Sequence, residues 1–168
     1  MLSDSVEEML IATSCSKNFG LYRERTGAAI VIGKNAKEAM NAKGRILQLA
    51  RSTYTMPPDH GAAIVETILS SDALTQEWKT ELDVMRNRIV TLREGLSAAL
   101  AARCGDTRFD FIKQHKGMFS MLGMAPEQIQ TLRDDFGIYA VGDSRINIAG
   151  LTEARIDYLA DALISVIK

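Results

Sequence analysis

The segment Ser14-Cys15-Ser16-Lys17-Asn18-Phe19-Gly20-Leu21-Tyr22-Arg23-Glu24-Arg25-Thr26-Gly27 gathers the residue types of one kind of chemistry. A single lysine follows two serines, Ser14 and Ser16, and Arg25 lies eight positions beyond it. Hydroxyls, backbone N–H groups and a guanidinium fork are the donors that a dianionic phosphate needs. A primary amine beside such a site can attack a carbonyl and hold it covalently. The amine must first shed its proton, since a free lysine near pKa ~10.4 is charged at neutral pH. Burial and a neighbouring cation such as Arg25 are the expected means. Taken alone, the same residues also read as turn serines, a solvated lysine and a surface cluster Arg23-Glu24-Arg25. A second charged residue stands out in Arg145-Ile146-Asn147-Ile148-Ala149-Gly150, where an apolar setting obliges the arginine to find a partner. Asp143 is the nearest acid in sequence.

The pattern Ser-x-Ser-Lys-Asn-Phe-Gly-Leu-Tyr-x-Glu-Arg-x-Gly is similar to the lysine segment of the aspartate and aromatic amino-acid aminotransferases, which are fold-type-I pyridoxal-phosphate (PLP) enzymes. Three later segments resemble the same family in the same order: Arg51-Ser52-Thr53-Tyr54-Thr55-Met56-Pro57-Pro58, Gly117-Met118-Phe119-Ser120 and Ser144-Arg145-Ile146-Asn147-Ile148-Ala149-Gly150. The resemblance runs from about Val6 to the C-terminus. It implies an α/β fold, with the end of a large-domain mixed sheet in residues 1–80 and an α+β small domain in 81–168, joined by a long helix.

The resemblance also assigns roles. Lys17 would attach PLP and serve as the catalytic base and acid, with Ser14, Ser16 and Arg25 holding the cofactor phosphate. Arg145 would grip the substrate α-carboxylate through two parallel hydrogen bonds, with Asn147 in support and Phe119 beside the substrate. Arg51 would reach across a homodimer interface to the side-chain carboxylate of dicarboxylic substrates. The implied reaction moves an amino group from an aromatic or acidic amino acid to a 2-oxo acid such as 2-oxoglutarate. Residue by residue, plainer readings stand beside these. Arg51 can be a surface arginine favoured by a helix C-terminus, and Phe119 a core phenylalanine of a strand.

Two departures from the family pattern bear on specificity. Asp143 precedes Arg145 where relatives carry small neutral residues, so an added carboxylate can weaken anion binding if it points inward. Thr55-Met56 replaces a common Ser-Asn, which makes that wall more apolar and adaptable and leans toward enzymes accepting aromatic as well as acidic amino acids. Members of the family are more than twice as long and keep most cofactor contacts upstream of the lysine. Only sixteen residues precede Lys17, so the expectation is a C-terminal portion that is incomplete as a catalyst by itself. A non-catalytic structural or interaction fragment retaining the fold is the alternative.

The bulk properties narrow the field. The chain has 168 residues, 46% of them hydrophobic, which suits one domain or parts of two with a real core. A net charge of -1 gives no footprint for nucleic acid or an acidic membrane. Two cysteines, Cys15 and Cys104, are too few for a disulfide framework and fit a reducing cytoplasm. His60 and His115 form no metal pair, and no nucleotide-type glycine loop is present, so neither site is expected. No apolar run approaches a membrane span, and no signal-peptide pattern opens the chain.

The elements that must position these residues follow from periodicity. Apolar runs at 9–12 and 28–32 predict buried strands flanking the lysine loop. Asn35 with Glu38 predicts a capped helix to about Leu49, and a second helix is expected over 61–69. Leu74, Trp78, Leu82, Met85, Ile89, Leu92, Leu96 and Leu100 recur at steps of three or four and predict a long helix over 73–103. Strands are expected at 109–112, 118–121, 138–141 and 145–148, and helices over 126–136 and 153–167.

Overall fold

A computed structural model describes residues 5–167, and its chain divides into two compact units, Met1–Thr80 and Glu81–Lys168. In the first unit, strands β1 (Met9–Ser14) and β2 (Gly27–Ile32) form an antiparallel ribbon in register from Met9↔Ile32 to Ser14↔Gly27. Helix α1 (Ala36–Thr53) begins where Asn35 Oδ1 accepts the Glu38 N–H at 3.0 Å, so the expected cap forms. Helix α2 is His60–Leu69, and α3 is Asp72–Cys104, about 50 Å long at 1.5 Å per residue.

The ribbon differs from expectation in one respect. Its near-continuous apolar strands were expected to be buried, yet Leu10 is 76% and Ile30 46% exposed. Among the described residues of this unit only Ser16 and Gly61 are buried. Within this unit α1 packs beside β2, and one helix against a two-stranded ribbon is too little to enclose both faces.

The second unit holds the hydrophobic core. Leu92, Leu96 and Leu100 on α3 meet Leu132 of α5 (Pro126–Phe136) and Ala160 and Leu163 of α6 (Ile156–Ile167), all at most 1% exposed. Each leucine sealed in this way contributes about 1.5–3 kcal/mol of transfer free energy. The apolar stripe of α3 is therefore buried only from Leu92 onward; Leu74 and Met85 are exposed. Gly137, at φ +62°, ends α5 in the left-handed conformation that glycine adopts without strain.

Two strands expected from sequence are absent. Phe109-Asp110-Phe111-Ile112 alternates like a strand, but Phe111–Gln114 is a short helix, α4. Phe109 and Ile112 are both buried and three residues apart, so helical spacing places both in the core. Residues 138–141 have no regular structure, although the Val141 N–H still bonds the Arg145 carbonyl at 3.1 Å. A second antiparallel ribbon forms from β3 (Phe119–Met121) and β4 (Arg145–Asn147), followed by single 3₁₀ turns at Ile148–Gly150 and Glu153–Arg155.

Candidate active-site residues

The lysine loop is the excursion between the ends of β1 and β2. It is closed at its base by Cys15 N–H to Thr26 C=O at 2.9 Å. Inside it, the N–H groups of Phe19 and Leu21 converge on the Cys15 carbonyl, and the Gly20 N–H bonds the Lys17 carbonyl. Lys17 thus sits in a tight turn, exposed, with Nζ 5.8 Å from the centre of the Tyr22 ring. Arg25 donates from NH1 to the Tyr22 carbonyl at 3.0 Å, so one tyrosine touches both cations. Arg25 has φ +54°, a conformation costing a non-glycine residue on the order of 1–3 kcal/mol. The Ser14 hydroxyl donates to Ser16 Oγ at 3.0 Å and accepts the Ser16 N–H at 3.2 Å, and Ser16 is buried.

Two helices pin this loop at two places that follow the lysine. Trp78 of α3 donates its indole N–H to the Asn18 carbonyl at 2.8 Å and stacks on Phe19 at 4.5 Å between centroids. At the start of α2, Gly61 lies flat against Thr26 and Glu24, where a Cβ would collide with both. His60 Nδ1 adds a contact to Glu24 Oε2 at 2.9 Å. Neither Trp78 nor Gly61 was singled out from sequence. Trp78 reads there as one more residue of an apolar stripe, and Gly61 as the opening of a helix. The burial expected of Lys17 is not supplied by the described residues of this unit.

In the second unit the short ribbon sorts residues by face. Phe119 lies opposite Asn147, Ser120 opposite Ile146, and Met121 opposite Arg145. Alternation buries Ser120 and Ile146 and presents Phe119, Met121, Arg145 and Asn147 together on the exposed face. The Arg145 guanidinium lies 5.4 Å from the centre of the Phe119 ring. Asp143 accepts the Arg145 backbone N–H at 3.1 Å through one oxygen, while its other oxygen stands 3.9 Å from the guanidinium. That leaves the fork of Arg145 free to bind a second anion. Asn147 Oδ1 accepts the Ala149 N–H at 3.1 Å, which fixes its amide at the edge of a cavity of about 550 Å³ that Tyr139, Arg155 and Tyr158 also line. Met121, across from Arg145, was not anticipated as a neighbour of this face.

Arg51 belongs to neither group. It lies exposed in the last turn of α1, where the helix dipole favours a cation. Thr55, just beyond, has φ +69°, and Met56 is 73% exposed. Among the described residues no cluster of His, Cys, Asp or Glu has metal-binding geometry, and no helix is long and apolar enough to cross a membrane.

The structure thus places Ser14, Ser16, Lys17 and Arg25 on and beside one loop, and Arg145, Asn147 and Phe119 on one ribbon face. The family profile for aminotransferase class I and II matches residues 1–163. The chain belongs to that family. This aminotransferase-family chain is 47% identical over 166 residues to an aromatic-amino-acid aminotransferase of Paracoccus denitrificans, covering 99% of itself and 42% of that relative. It is 40% identical over 161 residues to an aspartate aminotransferase of Escherichia coli, covering 96% of itself and 41% of the other. The solved structure of an aromatic amino acid aminotransferase with 3-indolebutyric acid superposes with a TM-score of 0.93 at 47% identity, over 98% of this chain and 42% of that one. An aromatic-amino-acid aminotransferase from Burkholderia pseudomallei, solved covalently bound to pyridoxal phosphate, gives 0.84 at 40% identity over 95% of this chain and 40% of its own. The fold is that of part of a fold-type-I aminotransferase. The chain spans about 42% of the length of the first curated relatives it matches.

Proposed function

We propose that this chain carries the cofactor-attachment and carboxylate-binding residues of a PLP-dependent aminotransferase acting on aromatic or acidic amino acids, with a 2-oxo acid such as 2-oxoglutarate as acceptor. The observation that carries the proposal is the gathering of Lys17, Ser14, Ser16 and Arg25 on one loop clamped by Trp78 and Gly61. This donor set fits PLP, with an amine for its aldehyde, and hydroxyls and a guanidinium for its phosphate. PLP, when bound, supplies the electron sink that stabilises negative charge at the substrate Cα.

The chain's own residues then do the following. Ser14, Ser16 and Arg25 hold the phosphate. Lys17 Nζ attaches the cofactor and, once released, takes the proton from the substrate Cα and returns it later in the cycle. Arg145 binds the α-carboxylate with its planar fork, and the Phe119 ring and Asn147 amide flank it. Arg51 serves the side-chain carboxylate of dicarboxylic substrates in the neighbouring protomer of a homodimer. Residues 1–80 correspond to the C-terminal part of the large PLP-binding domain and 81–168 to the small domain, in a cytoplasmic enzyme.

The test is covalent. The chain is incubated with PLP, reduced with borohydride, digested and mapped by mass. We expect the cofactor on Lys17 and none in Lys17→Ala. Labelling elsewhere, or equal labelling in Lys17→Ala, would refute the proposal and favour a non-catalytic fragment.

A further inference from the structure

Arg93 is 2% exposed in the core face of α3 and has no carboxylate partner among the described residues. An unpaired buried guanidinium is costly, so its retention asks for a reason. Burial lowers it from its ordinary pKa. Its acceptors are all neutral and nearly all lie on one stretch of chain. NH2 donates to the carbonyls of Gly117 at 2.7 Å and Phe119 at 2.8 Å. NH1 donates to the Ile112 carbonyl at 3.1 Å and to the Ser120 hydroxyl. Ser120 Oγ also lies 3.2 Å from His115 Nδ1. Only Nε has no partner among the described residues.

A second arginine on the same helix repeats the device beyond the end of β4. Arg88 donates to the carbonyls of Ala149 at 3.0 Å and Leu151 at 2.7 Å, on the turn that follows Asn147. Helix α3 therefore grips β3 through Arg93 and the turn after β4 through Arg88.

We infer that Arg93 is a positioning residue for the Arg145 face, assisted by Arg88. Arg93 fixes the backbone of Gly117–Ser120 from the buried side and so sets where the Phe119 ring meets the Arg145 guanidinium. A lysine cannot reproduce this, because one ammonium cannot present the planar fork that spans Gly117, Phe119 and Ser120 at once. The inference deepens the proposed carboxylate-binding role of Arg145 and rests on it for its functional meaning.

The test uses the 168-residue chain and the Arg145 Nε–H resonance by NMR. Arg145→Lys removes the resonance and so assigns it; Phe119→Leu marks its position without the ring. At a temperature where circular dichroism shows a folded chain, we expect Arg93→Lys to move the resonance toward the Phe119→Leu position. Arg88→Gln should give a smaller move in the same direction. Binding of 3-phenylpropionate, followed by titration, should weaken roughly ten- to a hundredfold in Arg93→Lys. A merely structural arginine would lower the melting temperature and leave the resonance in place, and that result overturns the inference. Should Arg93→Lys fail to fold, Ser120→Ala removes one acceptor alone and is read by the same two outcomes. Absence of saturable 3-phenylpropionate binding in the unaltered chain would instead refute the role of Arg145, because the ring-current shift is measured without ligand.

Discussion

Trp78 lies face to face with Phe19, their rings 12° from parallel, while its indole N–H holds the carbonyl of Asn18. A residue on a helix sixty positions away therefore fixes the two residues that follow Lys17. Trp78 is also the only tryptophan in the chain, so its emission reports the state of this loop. Trp78→Phe keeps an aromatic surface and loses the hydrogen bond, at a cost of about 0.5–1.5 kcal/mol. Trp78→Ala loses both. The rate of borohydride-trapped PLP incorporation at Lys17 should fall in the order wild type, Trp78→Phe, Trp78→Ala. Equal rates in all three would show that the loop needs no such anchor.

Gly61 is the second anchor, and it works by having no side chain. In Gly61→Ala the added methyl meets Thr26 and the Glu24 side chain, so either α2 or the loop must shift. Overpacking of this kind costs about 1–3 kcal/mol. The expected signs are a lower melting temperature and altered Trp78 emission, since the loop joins the two contacts. A melting temperature and emission matching wild type would remove Gly61 from the account.

Asp143→Asn tests the carboxylate beside Arg145. The asparagine keeps an oxygen for the Arg145 backbone N–H and removes the negative charge 3.9 Å from the guanidinium. Partly screened pairs of this kind are weak, so 3-phenylpropionate affinity should rise only roughly two- to fivefold. The gain should shrink as salt is added. A loss of affinity would mean that Asp143 aids the site by orienting Arg145.

Acid should loosen the second unit in a defined way. A hydrogen bond from Arg103 holds the Asp161 carboxyl below its ordinary value, and one from Lys113, aided by Ser97, does the same for Asp110. Folded-state values below the unfolded ones mean stability that is fully present above about pH 4 and lost as pH falls through the lowered values. The melting-temperature gap between wild type and Asp161→Asn should be open at pH 6 and close below pH 4. A gap independent of pH would refute the assignment.

Much of this was legible from periodicity and spacing, for physical reasons. The Asn35–Glu38 cap, the Pro126 start and Gly137 stop of α5, and the long reach of α3 are local signals that need no tertiary contact. The alternation at Phe109–Ile112 misleads because α3 offers Ser97 to Asp110 and a core to Phe109 and Ile112 together, which no short window reveals. The lysine loop stands out in the sequence by its residue types, whereas its anchors do not. Trp78 and Gly61 act through distance in sequence, and their residue types look ordinary where they stand. Arg93 is hidden for the same reason, since a helix with many charges gives no sign of which one faces inward.

The strict alternation of the β3–β4 ribbon makes its function a matter of parity. Point changes on its exposed face retune a surface, but inserting or deleting one residue between Gly117 and Phe119 would exchange inside for outside along the whole strand. Ser120 and its polar grip would then face solvent, and phenylalanine and methionine would press on the interior. Laboratory evolution of this chain should accordingly accept substitutions at Met121 and reject indels in that span.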